Sequence, residues 1–339
     1  MKKVFIGIDI SKDTLDVCFI ESLSENKLFE FRVQNKKSGI KSILEKVTKL
    51  GYSGSDAWFC FEHTGTYGYL LAYLLDQKDL CYSVVPGVEI KRSIGLARGS
   101  NDKVDACRIA LYACRNHKKL VQTKFPSETI LKIKSYLACR NHLVKISTQL
   151  KNSLHSYKLA SEVINNQVVI TEITRQLDSV KSSIRNLESE LKKLFQMDVS
   201  VYKNYKLISS VIGVGPIIAA HMIVCTANFQ SFPDARKFNC YAGIAPFSKN
   251  SGTSIHTKSK VNNMANKQIK KLLSNGANSA VQNDPELRTY YIRKLNQGKH
   301  HNSIMNAVCC KIVARMFAVV SRQTEFVRLY SHSCNTHAC

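Results

Sequence analysis

The sequence predicts a chain in three parts: a mixed α/β layer fold over residues 1–125, a helical coiled-coil hairpin over 126–200, and a mainly α-helical region over 201–339. Three observations carry this. Short apolar runs bounded by turn residues alternate with helical spacing up to about residue 85. A heptad seam of Ile, Val and Leu follows. Beyond it, apolar helical stretches are separated by Gly, Asn and Pro.

Residues 4–10 (VFIGIDI) and 15–20 (LDVCFI) read as strands joined by a short SKDT turn, with residues 29–33 as a third. Residues 38–50 have helical spacing. Residues 57–62 form an apolar strand ending at Glu62, before the turn His63-Thr64-Gly65-Thr66. A helix over 67–77 and a strand over 81–85 complete a β-β-β-α-β-α-β order. Pro126-Ser127 ends this block, and Ser127 is a candidate N-cap.

In the next region Ile170, Ile173, Leu177, Val180, Ile184, Leu187, Leu191 and Leu194 alternate steps of three and four. That is a heptad seam, which serves as core or dimer interface. Asn165-Asn166 marks the turn of an antiparallel hairpin. Gly213-Val214-Gly215-Pro216 reads either as a helix-hairpin-helix turn whose amides approach DNA phosphate or as a tight interhelix turn. Residues 238–260 read as a Gly-, Ser-, Asn- and Lys-rich loop. Helices resume over 266–282, at Asp284-Pro285 as N-cap and N1 proline, and over about 303–320.

The 339 residues carry 49 Lys and Arg against 25 Asp and Glu, a net charge of +24. Nucleic acid is the expected partner, because a phosphate backbone rewards each basic contact by counterion release. A membrane surface is the competing polyanion. No apolar segment is expected to reach membrane-spanning length, and MKKVFIGIDIS lacks the apolar core of a signal peptide. The expected location is the cytoplasm, on the nucleoid. Twelve cysteines form no C-x-x-C. Cys18, Cys60, Cys81, Cys107 and Cys114 lie in apolar patterns and are expected to be free thiols in a reducing compartment. The tail His332, Cys334, His337 and Cys339 reads either as a soft-metal site or as a plain terminus.

Against the basic background four acids stand out: Asp9 and Glu62 in apolar strands, and Asp102 and Asp105 at i, i+3 on a helix start. A carboxylate in a buried strand is costly unless a cation binds it. Hard oxygen ligands point to Mg²⁺, or to Mn²⁺. Paired divalent ions in phosphoryl transfer activate the nucleophile and stabilise the leaving oxygen. The plainer alternative makes Asp102 a helix N-cap and Asp105 a partner of the helix dipole.

GIDISKDTLDV, FEHTGTYG and the aspartates of SNDKVDA together resemble the RuvC-like (RNase H fold) domain of the IS110-family transposases. IGVGPIIAA and FPDARKFNCYAGIAPFSKNSG resemble the second transposase domain of that family, so the resemblance covers almost the whole chain. It implies a D-E-D-D tetrad of Asp9, Glu62, Asp102 and Asp105, and a serine nucleophile that forms a phosphoserine link to DNA. The matching serine is Ser251, before Gly252; Ser248, Ser254 and Ser259 share its loop. A serine hydroxyl is a weak nucleophile at neutral pH and needs such activation. Where lysine or threonine often precedes the first aspartate of the pair, this chain has Ser100-Asn101.

Lys249, Lys258, Lys260, Lys267, Lys270 and Lys271 around the serine, and Lys91, Arg92 and Arg98 before the aspartates, are candidate phosphate contacts. Gly213, Gly215 and Gly252 are candidate backbone contacts. The resemblance also implies a structured guide RNA from the element, which pairs with donor and target DNA. The seam would join protomers as a dimer in solution and a tetrameric synapse, so that the serine of one approaches the tetrad of another. Alternatives are a water-using RuvC-type junction nuclease, a nucleic-acid-binding protein with decayed catalysis, and, from GIDIS, an actin-like ATPase lacking its second glycine-rich phosphate motif.

Overall fold

The structure, a computed structural model, describes residues 2–94, 101–251, 255–261 and 265–328. It divides into two compact units, Met1–Phe125 and Pro126–Cys339.

In the first unit, β1 (Val4–Ile10), β2 (Thr14–Glu21), β3 (Lys27–Gln34), β4 (Ala57–Glu62) and β5 (Tyr82–Val85) form one sheet in the order β3-β2-β1-β4-β5. The first three strands are antiparallel neighbours, and β4 and β5 add parallel to β1. This is the mixed sheet flanked by helices that the sequence predicts. Alternation in β1 sorts the layers. Val4, Ile6, Ile8 and Ile10 join the core shared with α1 (Lys37–Lys49) and α2 (Tyr69–Asp76). Phe5 belongs to the opposite face, where α3 (Gly87–Ile94) contributes Ile90 and α4 (Asp102–Arg115) contributes Ala106, Ile109, Ala110 and Ala113. Gly7 and Asp9 share the parity of Phe5 and lie on that α4 side.

In the second unit, α5 (Glu128–Ala160) and α6 (Gln167–Gln196) form the antiparallel hairpin. The Ser127 hydroxyl accepts from the Ile130 amide at 3.4 Å, capping α5. Arg140 and Glu188 pair across the hairpin at 2.6 Å. Of the seam, Leu177, Leu191 and Leu194 are buried and the other five positions are half-buried, because two helices alone cannot enclose a heptad stripe. Ile133, Leu137, Leu191 and Phe195 share one core with α7 (Val199–Ser209), α8 (Pro216–Cys225), α10 (Lys267–Asn283), α11 (Pro285–Asn296) and α12 (His301–Arg322). Asp284 caps α11 through the amides of Glu286 and Leu287.

Two expectations need correction. Residues 238–260 are not a plain loop. They hold most of α9 (Ala235–Ala242), which Asp234 caps at one end and Gly243, at φ 65°, at the other. The antiparallel hairpin of β6 (Pro246–Ser251) and β7 (Ile255–Val261) follows. The polar side chains hid the strands. Second, α12 does have the length and apolar character of a membrane span: 22 residues, with a window of mean hydropathy 1.7. Val308, Cys309, Ile312, Val313 and Met316 on it are buried in the core of the unit.

Candidate active site

Strand register builds the site. Asp9 stands opposite Asp16 on β2, and Asp16 stands opposite Arg32 on β3. On the other side of β1, Ile8 pairs with Phe61, which puts Glu62 one step further along β4, opposite Val85 of β5. Arg32, Asp16, Asp9 and Glu62 therefore make a row across the sheet on the face that α4 covers. A Cβ at Gly87, the first residue of α3, would overlap the Glu62 carboxylate, so that carboxylate lies against a helix N-terminus.

Helix α4 supplies the other two acids. Asn101, not Asp102, is its N-cap: the Asn101 Oδ1 accepts from the Val104 amide at 2.9 Å. Asp102 is thus free of the capping role, and both aspartates project from the first turn. Gly7 lets this helix rest on β1 main chain to main chain. A Cβ there would fall 2.8 Å from Ala110 Cα and overlap the Ala106 carbonyl.

Asp9 feels the charge of the other acids on this face. The pKa of Asp9 is pushed up from 3.8 to about 6, first by burial and then by the charges of Asp102, Asp105, Asp16 and Glu62. Two arginines offset part of this charge. Arg32 Nε donates to both oxygens of Asp16 at 2.9 and 3.0 Å, and its Nη2 donates to Asp102 at 2.8 Å. Arg108 Nη1 donates to Asp105 at 2.8 Å. The donor chemistry fits a hard divalent cation: four carboxylates crowd one surface and raise the proton affinity of the innermost. With Asp102 and Asp105 turned onto arginines, no three acidic, His or Cys side chains form a ready ligand group among the described residues.

Sequence reading missed Asp16 and Arg32. The signal was present as two charged residues inside apolar strands, but only the register shows that they share a row with Asp9. It also took Cys18 and Cys107 as free thiols. The structure pairs them as a disulfide between β2 and α4, with Cα atoms 5.0 Å apart. Two positions in separate apolar patterns gave no hint of this contact. Cys60, Cys81 and Cys114 are free.

The remaining candidates are dispersed. Lys91 and Arg92 are exposed on α3, and Lys267 and Lys271 are exposed on α10, with Lys270 half-buried. Gly213, at φ 89°, has a packing role: a Cβ would fall 2.8 Å from Ala280 Cβ and 2.5 Å from the Gly276 carbonyl oxygen on α10. Gly215 is exposed before α8, with open space at its Cβ position. Ser251 ends β6, its backbone opposite Ile255 of β7. Lys249 lies on β6, and Lys258 and Lys260 lie on β7. Arg98, Gly252 and the His/Cys tail lie outside the described residues.

The chain is similar in sequence to known proteins along most of its length. The family model for the DEDD transposase of IS110 matches residues 6–159, and that of the transposase IS116/IS110/IS902 family matches residues 205–292. The chain is 25% identical to the pilin gene-inverting protein of Moraxella bovis over 96% of this chain and 98% of that one. It is 30% identical to an uncharacterized 43.6 kDa protein of insertion element IS110 from Streptomyces coelicolor, covering 47% of this chain and 38% of that one. Among solved structures, T. thermophilus RuvC in complex with a Holliday junction substrate matches at a TM-score of 0.28 and 12% identity, over 34% of this chain and 95% of that one. The chain belongs to the IS110 family of transposases.

Proposed function

We propose that this transposase recombines DNA by a serine-linked route that depends on a divalent cation. Asp9, Glu62, Asp102 and Asp105 would hold Mg²⁺ or Mn²⁺, which supplies charge stabilisation at the reacting phosphate. The Ser251 hydroxyl loses its proton and attacks the scissile phosphorus. The Oγ–P bond forms as the bond to the leaving DNA oxygen breaks. A hydroxyl from the partner strand then attacks the same phosphorus and releases Ser251, so the bond energy of the DNA is conserved. The observation that carries this reading is the buried Asp9 carboxylate, whose pKa is raised to about 6 first by burial and then by the charges of Asp102, Asp105, Asp16 and Glu62.

Full-length similarity to proteins named as gene inverters supports cutting with rejoining over cutting alone. The charge of +24 suits contacts to both DNA and a guide RNA encoded by the element. Lys91, Arg92, Arg98, Lys249, Lys258, Lys260, Lys267, Lys270 and Lys271 are the proposed phosphate contacts, with Gly215 and Gly252 offering backbone amides. Exposed Val163, Ile164, Val168 and Val169 near the turn of the long hairpin support a dimer, which would pair into a tetrameric synapse. We place this work in the cytoplasm, on the nucleoid.

The test incubates the full chain with Mg²⁺, element-end DNA and the flanking transcript, and seeks a phosphoserine adduct by mass spectrometry. Wild type should give the adduct at Ser251, and Ser251→Ala should give none. Cleavage that persists undiminished in Ser251→Ala would instead support a water-using nuclease.

A further inference from the structure

Asp16 is an anomaly in a site read as four acids. It is 2% exposed, on the central layer of the sheet, directly opposite Asp9. A buried carboxylate beside another carboxylate has no value for stability unless it holds a cation. The cation it holds is Arg32, which faces it across β2 and β3 and spans both of its oxygens through Nε. The guanidinium does not stop there. Its far end, Nη2, reaches over from the sheet to Asp102 on α4, and the Arg32 side chain is 47% exposed. Arg32 and Asp102 also line an open pocket of about 480 Å³ with Asn101 and Lys103. One end of the arginine is thus fixed on a buried anchor, and the other lies at a solvent-accessible carboxylate of the tetrad.

We infer that Arg32 is a positioning residue that acts through Asp102: a resident cation, anchored on Asp16, that holds the Asp102 carboxylate and exchanges it for a divalent ion. The inference rests on the reading that the tetrad takes such an ion. The fixed geometry of a guanidinium suits this task, since its fork can serve two carboxylates at once. The Asp16 contact persists in both states, so only the half-exposed Asp102 contact must break. Such contacts are weak, which keeps the exchange easy. The arrangement also limits the negative charge on α4 before an ion arrives.

The test is titration calorimetry of Mn²⁺ alone into the full chain, for wild type, Arg32→Lys and Arg32→Gln, with Asp9→Asn as the control. Lysine keeps a charge for Asp16 but lacks the fork that also reaches Asp102. Both Arg32 variants should bind Mn²⁺ more tightly, by roughly twofold to fivefold, the equilibrium weight of one half-exposed ion pair. If Arg32→Gln fails to fold with Asp16 left unpaired, the double variant Asp16→Asn/Arg32→Gln removes both charges and should also bind more tightly. Unchanged or weaker binding in the Arg32 variants, with normal wild-type binding, overturns the inference alone. A wild-type chain that takes up no ion, or an Asp9→Asn chain that binds as well as wild type, overturns the metal-site reading and the inference with it.

Discussion

Replacing Asp9 by Asn should make the metal-free protein more stable while removing its capacity to bind a divalent ion. The rise in the Asp9 pKa from 3.8 to about 6 means that the folded state resists the charged form. At ~1.4 kcal/mol per tenfold change in proton affinity, ionised Asp9 costs the fold roughly 3 kcal/mol at neutral pH, as an upper bound. The sign follows from linkage. Between pH 3.8 and about 6 the folded chain binds the extra proton, so stability rises as pH falls through that window. Asn carries no charge at any pH and escapes the cost. The assay is urea denaturation in EDTA, followed by fluorescence of the chain's single tryptophan, Trp58, which lies on β4 opposite Phe5 of β1. At about pH 7.5 Asp9→Asn should exceed wild type by up to roughly 3 kcal/mol. Near pH 5 about half of that advantage should remain. A variant no more stable than wild type at neutral pH, or an advantage that does not shrink on acidification, would refute the reasoning.

Three further expectations follow from other contacts. Binding of Mn²⁺ should weaken as pH falls through about 6, because the ion must displace the proton on Asp9; equal affinities at pH 7 and about pH 5 by calorimetry would contradict this. Gly7→Ala should lower stability by at least about 1–3 kcal/mol and weaken ion binding, since the methyl group pushes α4 and its aspartates off β1; the Trp58 transition and calorimetry read both effects. Gly213→Ala should cost about 2–4 kcal/mol through its positive φ and its contact with α10, whereas Gly215→Ala should change stability by less than ~0.5 kcal/mol; thermal melts that rank them the other way would undo the packing role of Gly213.

The elements of the first unit were legible because each signal was local. VFIGIDI alternates, and the parity that separates Ile8 and Ile10 from Asp9 is the parity the sheet uses. The helix bounds near Ser127, Asn266 and Asp284 were legible for the same reason, since a cap is a contact three residues long. The cross-strand partners were not. Nothing near Asp16 in sequence announces Arg32 or Asp9, because strand register depends on contacts far apart in the chain. The Cys18–Cys107 pair was hidden for that reason too. In the second unit the β6–β7 hairpin was missed because its lysines and serines lack the apolar alternation that marks a half-buried strand.

The contact at Gly7 sets a reference distance for the chemistry. Side-chain cores adjust as their members change size, and elements packed through side chains shift with them. Helix α4 meets β1 through backbone atoms, whose dimensions no substitution alters. The spacing between Asp9 on the strand and the aspartates on the helix is therefore insulated from drift elsewhere. Ile, Leu and Phe on the opposite face of the sheet can exchange places over many generations without moving the carboxylates. A side chain at Gly7 itself would change the gauge.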